Sequence, residues 1–245
     1  MISPYHLEVA EHYERFPYPQ YPWYALGSWS ALQSVDIANW GLKRVARDLW
    51  VVGCGTVAPQ MFGRRNPRLR ILATDLSQAS LDIALKRLRL FGTHNVCLRC
   101  EDLMEARYVD AFDAIDCFGV LHHTFSPQKG LEKLERALRP GGVLRLMLYS
   151  RKAREKIENL RAEIVRAGIK NISDVVTHVR TQLDHSERTG DLSNSFGIAD
   201  AILNPIIHVF DEDALENLLK QFPSLQVLRR STEGNFVVHL LKDPG

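Results

Sequence analysis

The feature that most constrains this chain is the stretch 49–56, LWVVGCGT, in which a short apolar run stops at a Gly-Cys-Gly turn. Asp75 ends the next apolar run, twenty positions after Gly55. An apolar run of strand length without alternation fits a parallel strand buried on both faces. Glycines after such a strand permit a tight turn and a close backbone approach to a ligand, because a side chain there would occupy the ligand's space. A helix opened by residues 57–62 would turn its free amide groups towards the same crevice, where they favour anionic or polar groups. Asp75, at the end of the second strand, is placed to accept hydrogen bonds from both hydroxyls of a ribose. An ordinary strand-to-helix turn with a solvated aspartate is the plainer alternative, but an acid at this distance weighs towards a nucleotide site.

Composition sets the outer bounds. The 245 residues, 45% hydrophobic and 24% charged, suffice for a full core, as one large domain or one domain with additions. The balance of 31 Lys and Arg against 29 Asp and Glu, net +2, gives no whole-chain case for nucleic acid. The sequence shows no signal peptide and no apolar run long enough to span a bilayer, so a soluble cytoplasmic protein without a membrane partner is expected. The four cysteines, Cys54, Cys97, Cys100 and Cys117, lie in or beside apolar runs. Residues three apart on a strand point to opposite faces, which suits neither a metal nor a disulfide for Cys97 and Cys100, so reduced, buried thiols and no metal are expected.

The middle of the chain alternates strand and helix signals. Strands are expected at 49–52, 71–74, 95–99, 112–118 and 143–149. Between them, Ser77 is an N-cap for a helix with Leu81, Ala84, Leu85 and Leu88 on one face, closed by Gly92. Ser126-Pro127 starts another, carrying Leu131, Leu134 and Leu138 inward until Arg139-Pro140-Gly141-Gly142 stops it. Such alternation implies a doubly wound parallel sheet with helices on both faces and ligand at the carboxyl ends of the strands. Near the end, a helix capped by Asp211 precedes strand-like runs at 225–229 and 235–241, whose connection is too short for a crossover helix, so they should be antiparallel.

Several stretches together resemble class I S-adenosylmethionine-dependent methyltransferases: VVGCGT, ATDLSQASLDIA, EDL at 101–103, FDAIDCFGVLHHTFSP and LRPGGVLRLMLYS. Within that superfamily the chain is similar to a bacterial group with an N-terminal PYP-aromatic segment. The resemblance implies an α/β, Rossmann-like, doubly wound seven-stranded sheet, mostly parallel with an antiparallel C-terminal hairpin, and S-adenosyl-L-methionine as cofactor. It assigns Gly53, Cys54, Gly55 and Thr56 to the loop under the methionine part. Asp75 would hold the ribose hydroxyls, with Leu76 beside the adenine. Glu101, Asp102 and Leu103 would follow the third strand, Asp102 accepting from the adenine amino group, while Cys117, Phe118 and Gly119 would contact the methionine and sulfonium region, mostly through backbone. The chain departs from the family at Val57, where a third glycine is usual; a positive φ there would strain a branched side chain. Gly53-x-Gly55-x-x-Ala58 also satisfies the dinucleotide fingerprint, so a NAD-dependent oxidoreductase stays open, as do an idle cofactor-binding module and a nucleic-acid methyltransferase.

The methyl acceptor has to be argued from the parts outside the sheet. Residues 1–44 are expected to be an aromatic lid, 45–150 the cofactor-binding core, 151–205 a helical insertion and 206–245 the helix and hairpin that complete the sheet. All four tryptophans and five of the seven tyrosines lie in the first 50 residues, and Pro17, Pro19 and Pro22 impose an extended course on FPYPQYPWY. Such a segment can fold over the crevice, exclude water and wall a small-molecule acceptor, with Tyr18, Tyr21 and Trp23 as its lining. The insertion reads as two helices, one with Ile157, Leu160 and Ile164, the other with Val175, Val179 and Leu183 after a Ser173 cap. Arg151, Lys152, Arg154 and Lys156 read as a solvated basic face, and an exposed insertion surface could serve a homodimer. His122 and His123, just past the fourth strand, are the candidate bases; Tyr149 and His208 complete the expected acceptor lining.

Overall fold

The computed structural model describes residues 3–22, 33–184, 186, 190–231 and 233–245. Its seven strands are β1 (Asp48–Val52), β2 (Arg70–Asp75), β3 (Val96–Cys100), β4 (Phe112–Phe118), β5 (Leu138–Leu148), β6 (Leu225–Ser231) and β7 (Phe236–Lys242). They form one sheet in the order β3-β2-β1-β4-β5-β7-β6. The first five pair in parallel, whereas β7 runs antiparallel to both β5 and β6. The order reverses between β1 and β4, which opens a crevice beyond their carboxyl ends.

The helices are α1 (Leu7–Arg15), α2 (Ala58–Arg65), α3 (Gln78–Leu90), α4 (Pro127–Ala137), α5 (Arg151–Arg166), α6 (Ile172–Gln182), α7 (Ser195–Ile198) and α8 (Glu212–Lys220). Side chains of Ser77, Ser126, Ser150 and Asp211 accept from amides three residues on, supplying partners that the first helical turn cannot find within itself. Trp50 on β1 is fully buried, donates its indole N–H to Thr74 Oγ1 at 3.0 Å and stacks on Phe112 with ring centres 5.3 Å apart. One core lies on each face of the sheet, and a separate one forms inside the insertion around Leu160, Ile164, Val175 and Ile202. Among the described residues no helix is long and apolar enough to cross a membrane.

Several local expectations are corrected. Leu138 begins β5 instead of ending a helix, so that strand passes through Arg139-Pro140-Gly141-Gly142, and its register against β4 shifts between Phe112 and Ala114. Leu85 is exposed on α3, and Asn171, not Ser173, caps α6 by accepting from the Ser173 amide. Cys54 and Cys117 are buried thiols, but Cys97 and Cys100 are exposed because β3 is an edge strand with poorly covered faces. Within the basic run, Arg154 is buried, with its guanidinium 3.9 Å from the centre of the Tyr149 ring. Helix α1, which the sequence reading missed, packs on α3 through hydrogen bonds from Ser77 Oγ to the Tyr13 carbonyl (3.1 Å) and from the Ala79 amide to Glu14 (3.2 Å).

Ile115 lies fully buried at the centre of β4. Truncating it removes three carbons from a site with little freedom to collapse, so Ile115→Ala should cost about 2–5 kcal/mol of unfolding free energy in urea denaturation.

Candidate active site

A cavity of about 620 Å³ opens at the carboxyl ends of β1, β2, β4 and β5, a size suited to a small ligand. Its floor is the turn after β1. Gly53 and Gly55 both have φ of 54°, and a Cβ on Gly55 would lie 2.5 Å from the Tyr18 carbonyl oxygen. Both positions therefore exclude a side chain on conformational grounds and on space, since a Cβ on Gly53 would collide with the Val120 side chain. Val57 has φ of −125°, an ordinary value, so the expected crowding of a branched residue does not arise.

Asp75 closes this turn. Its carboxylate accepts the Gly55 amide at 2.7 Å and the Ser77 amide at 2.9 Å, which ties the β1 turn to the cap of α3. Burial pushes its pKa up and these amides oppose the shift. Each oxygen keeps acceptor capacity for a further donor, because an ionised carboxylate offers about four lone-pair sites.

Asp102 is engaged by the N-terminal segment. It accepts from His6 Nδ1 at 2.9 Å, from the Ser3 amide at 3.0 Å and from the Met104 amide at 2.9 Å. Burial raises its pKa, but hydrogen bonds from His6 and the amides outweigh that and hold the carboxyl below its usual value. His6 Nε2 accepts the Phe125 amide at 3.1 Å, so the proton resides on Nδ1 and the ring bridges two loops of the site.

Residues 18–22 then pass over the glycine turn. Thr56 donates its amide to the Tyr18 carbonyl at 3.3 Å and its hydroxyl to the Pro19 carbonyl, while Arg87 donates to the Tyr21 carbonyl at 2.5 Å. At the opposite end the lining changes to Tyr13, Phe118, Gly119, His123, Met147, Tyr149 and Asp200. His123 donates Nδ1–H to the Ile206 carbonyl at 2.7 Å, leaving Nε2 as a buried lone pair without a partner. Burial pushes its pKa down to about 4. Asp200 accepts from Tyr13 Oη at 2.7 Å and from Tyr149 Oη at 3.4 Å, and burial pushes its carboxyl upward.

Of the residues expected here, the cavity is lined by Gly53, Cys54, Gly55, Asp75, Leu76, Glu101, Asp102, Leu103, Phe118, Gly119, His123, Tyr18, Tyr21 and Tyr149. Four expected residues do not line it. Thr56 turns to the Pro19 carbonyl, Cys117 is buried in the core beneath the sheet's end, and His208 bonds the Thr124 carbonyl at 3.0 Å. His122 is buried, stacks on Tyr149 with ring centres 3.6 Å apart and does not line the cavity; burial drives its pKa well down. Trp23 lies outside the described residues. His6, Tyr13 and Asp200 were missed. Val9, Tyr13 and Phe16 recur at helical spacing, and Asp200 is an acid inside the apolar run 196–203, which is a signal of a buried charge.

Known proteins resemble this chain in sequence and in fold. Residues 50–144 match a family model described as a methyltransferase domain. An uncharacterized protein of Synechococcus sp. is 32% identical over 159 residues, covering 63% of this chain and 34% of that protein. A tRNA N(3)-methylcytidine methyltransferase of Schizosaccharomyces pombe is 31% identical over 114 residues, covering 41% of this chain and 36% of that protein. The chain thus spans about a third of the length of these curated relatives. The N-methyltransferase NodS of Bradyrhizobium japonicum WM9, solved with S-adenosyl-L-homocysteine, shares the fold with a TM-score of 0.56 at 13% identity, covering 96% of this chain and 98% of that one. An O-methyltransferase family protein of Burkholderia thailandensis gives 0.57 at 14% identity, covering 88% and 56%.

The depressed His123 pKa has a consequence for stability. The unfolded imidazole titrates near 6.5, the folded one at about 4, so between these values the unfolded chain binds the extra proton. The stabilisation from neutral His123 is complete above the upper value and falls by up to about 1.4 kcal/mol per pH unit on the way down. Between pH 6.5 and about 4.5, melting temperature should drop less steeply in His123→Asn than in the parent; parallel slopes would show that His123 is not held neutral.

Proposed function

We propose, from the premise that this chain carries a class I S-adenosylmethionine-dependent methyltransferase domain, that it transfers a methyl group to a small-molecule acceptor held in the roofed half of the cavity. The observation that carries this reading is the continuity of one cavity from the Asp75 and Asp102 loops, past Phe118 and Gly119, to the closed end at Tyr13, His123, Tyr149 and Asp200. The residues present fit the cofactor. The glycine turn brings bare backbone to the cavity, Asp75 retains lone pairs for two ribose hydroxyls, and Leu76 and Leu103 supply apolar walls beside them.

When bound, S-adenosylmethionine supplies a methyl group already activated by its sulfonium. The protein then has to align an acceptor nucleophile with that methyl and its leaving sulfur and keep water away. Phe118 and Gly119, at the end of β4, stand at the passage between the two halves, and residues 18–22 with α1 form the roof. A roof pinned over the crevice excludes bulk water and limits acceptors to molecules small enough to lie beneath it. That enclosure supports a small molecule over a base within a large nucleic acid, and the chain's near-neutral charge supports the same choice.

Calorimetric titration with S-adenosylhomocysteine and with NAD tests the reading. S-adenosylhomocysteine should bind and NAD should not; binding of NAD alone would overturn it. Asp75→Ala should weaken S-adenosylhomocysteine at least about a hundredfold, since two hydrogen bonds to a charged acceptor are lost. Retained affinity in a folded variant would remove Asp75 from the ribose site.

A further inference from the structure

The closed end of the cavity contains a carboxylate to which methyl transfer as such gives no task. Asp200 is 3% exposed and sits in a π-helical turn, Ala199–Leu203, a geometry that occurs mainly as single turns and frequently at functional sites. A directed chain of hydrogen bonds fixes its orientation. The Asn204 side-chain amide accepts from the Ile206 amide at 3.3 Å through its oxygen, and through its nitrogen donates to Tyr13 Oη at 2.9 Å. Tyr13 therefore spends its own proton on Asp200 Oδ1 at 2.7 Å. Oδ2 receives the longer approach of Tyr149 Oη, so the carboxylate, which lines the cavity, keeps acceptor capacity.

Two further observations narrow what could occupy this end. Asp200 makes no ion pair within 4.0 Å among the described residues; Arg154, which bonds the next carbonyl along, acts on this desolvated carboxylate only from farther off. The polar groups that are left over are acceptors: Asp200 Oδ2 and the unpartnered Nε2 of His123. An occupant that satisfies them must bring several donors, and a positive charge on it would offset the buried carboxylate.

We propose that the methyl acceptor is a small primary or secondary amine, bound as its ammonium form by Asp200 and His123 beside Tyr13. This rests on the methyltransferase reading of the same cavity. Before attack, the ammonium passes one proton to the Asp200 carboxylate, giving a neutral amine and a carboxylic acid. The nitrogen lone pair then forms the N–CH3 bond as the S–CH3 bond breaks and its electron pair stays on sulfur, leaving an N-methylammonium product and a neutral thioether. Asp200 returns its proton to water when the product leaves. Proton transfer from an ammonium to the Asp200 carboxylate neutralises both groups, which a buried site favours, whereas the same transfer from a neutral phenol or alcohol would leave a buried anion.

The test is a titration of protein saturated with S-adenosylhomocysteine, using benzylamine and benzyl alcohol, which match in shape and differ in charge. Benzylamine should bind at least about tenfold tighter, and Asp200→Asn should erase that preference while S-adenosylhomocysteine binds as before. Tyr13→Phe removes the donor that orients Asp200 and should reduce the preference about threefold, which keeps the test decisive where Asp200→Asn does not fold. Equal affinities in the parent protein, no binding of the amine, or a preference that survives Asp200→Asn overturns the proposal. Failure of S-adenosylhomocysteine to bind the parent protein is a separate result and overturns the methyltransferase reading instead.

Discussion

The site depends on one carboxylate. Asp75 gathers the amides of Gly55 and Ser77, so a single side chain holds the left-handed turn after β1 and the first turn of α3 in a common frame. Hydrogen bonds to an ionised acceptor are stronger than those between neutral groups, and burial makes losing one costly. The frame fixes Gly55 where its missing Cβ leaves room for the Tyr18 carbonyl, and Thr56 next to it binds the following carbonyl. Strand end, helix cap and roof are consequently one structural unit.

The two rings behind the closed end show how a site is made rigid without many direct contacts. Tyr149 has His122 stacked on it and the Arg154 guanidinium 3.9 Å from its centre, and Arg154 in turn donates to the Ala201 carbonyl at 2.8 Å, next to Asp200. The paired histidines after β4 thus divide the work. His122 packs the ring whose hydroxyl reaches Asp200, while His123 lines the cavity with its Nε2 buried and unpartnered. Fixing such groups beforehand reduces the ordering that ligand binding would otherwise require.

Most of the sheet could be read from local chemistry. The bounds of β4, the Ser77, Ser126 and Asp211 caps and the antiparallel ending all follow from hydrophobic runs, capping residues and connection length. The errors concern what packs against what. Cys97 and Cys100 sit in a strand-like run but on the sheet's edge, and Arg154 belongs to a charged helix yet is covered by the insertion. The site divides in the same way. Its floor comes from motifs contiguous in sequence, Gly53 to Gly55 and Glu101 to Leu103, whereas its closed end joins Tyr13 to Asp200 across 187 positions, which no periodicity announces. The branched Val57, a departure when judged by motif, is unremarkable once its φ is known.

The fastening of α1 has a thermodynamic corollary. His6 grips Asp102, Tyr13 grips Asp200, and both acids face the space a ligand would fill. Anything that enters must share its acceptors with the roof, so ordering of the N-terminal segment and occupancy of the cavity are linked functions. Whatever free energy the segment contributes to holding a ligand, the ligand returns to the segment in equal measure, by reciprocity. The protein's first helix is in that sense a reporter built into the chain, its protection from exchange or proteolysis rising and falling with what lies beneath it.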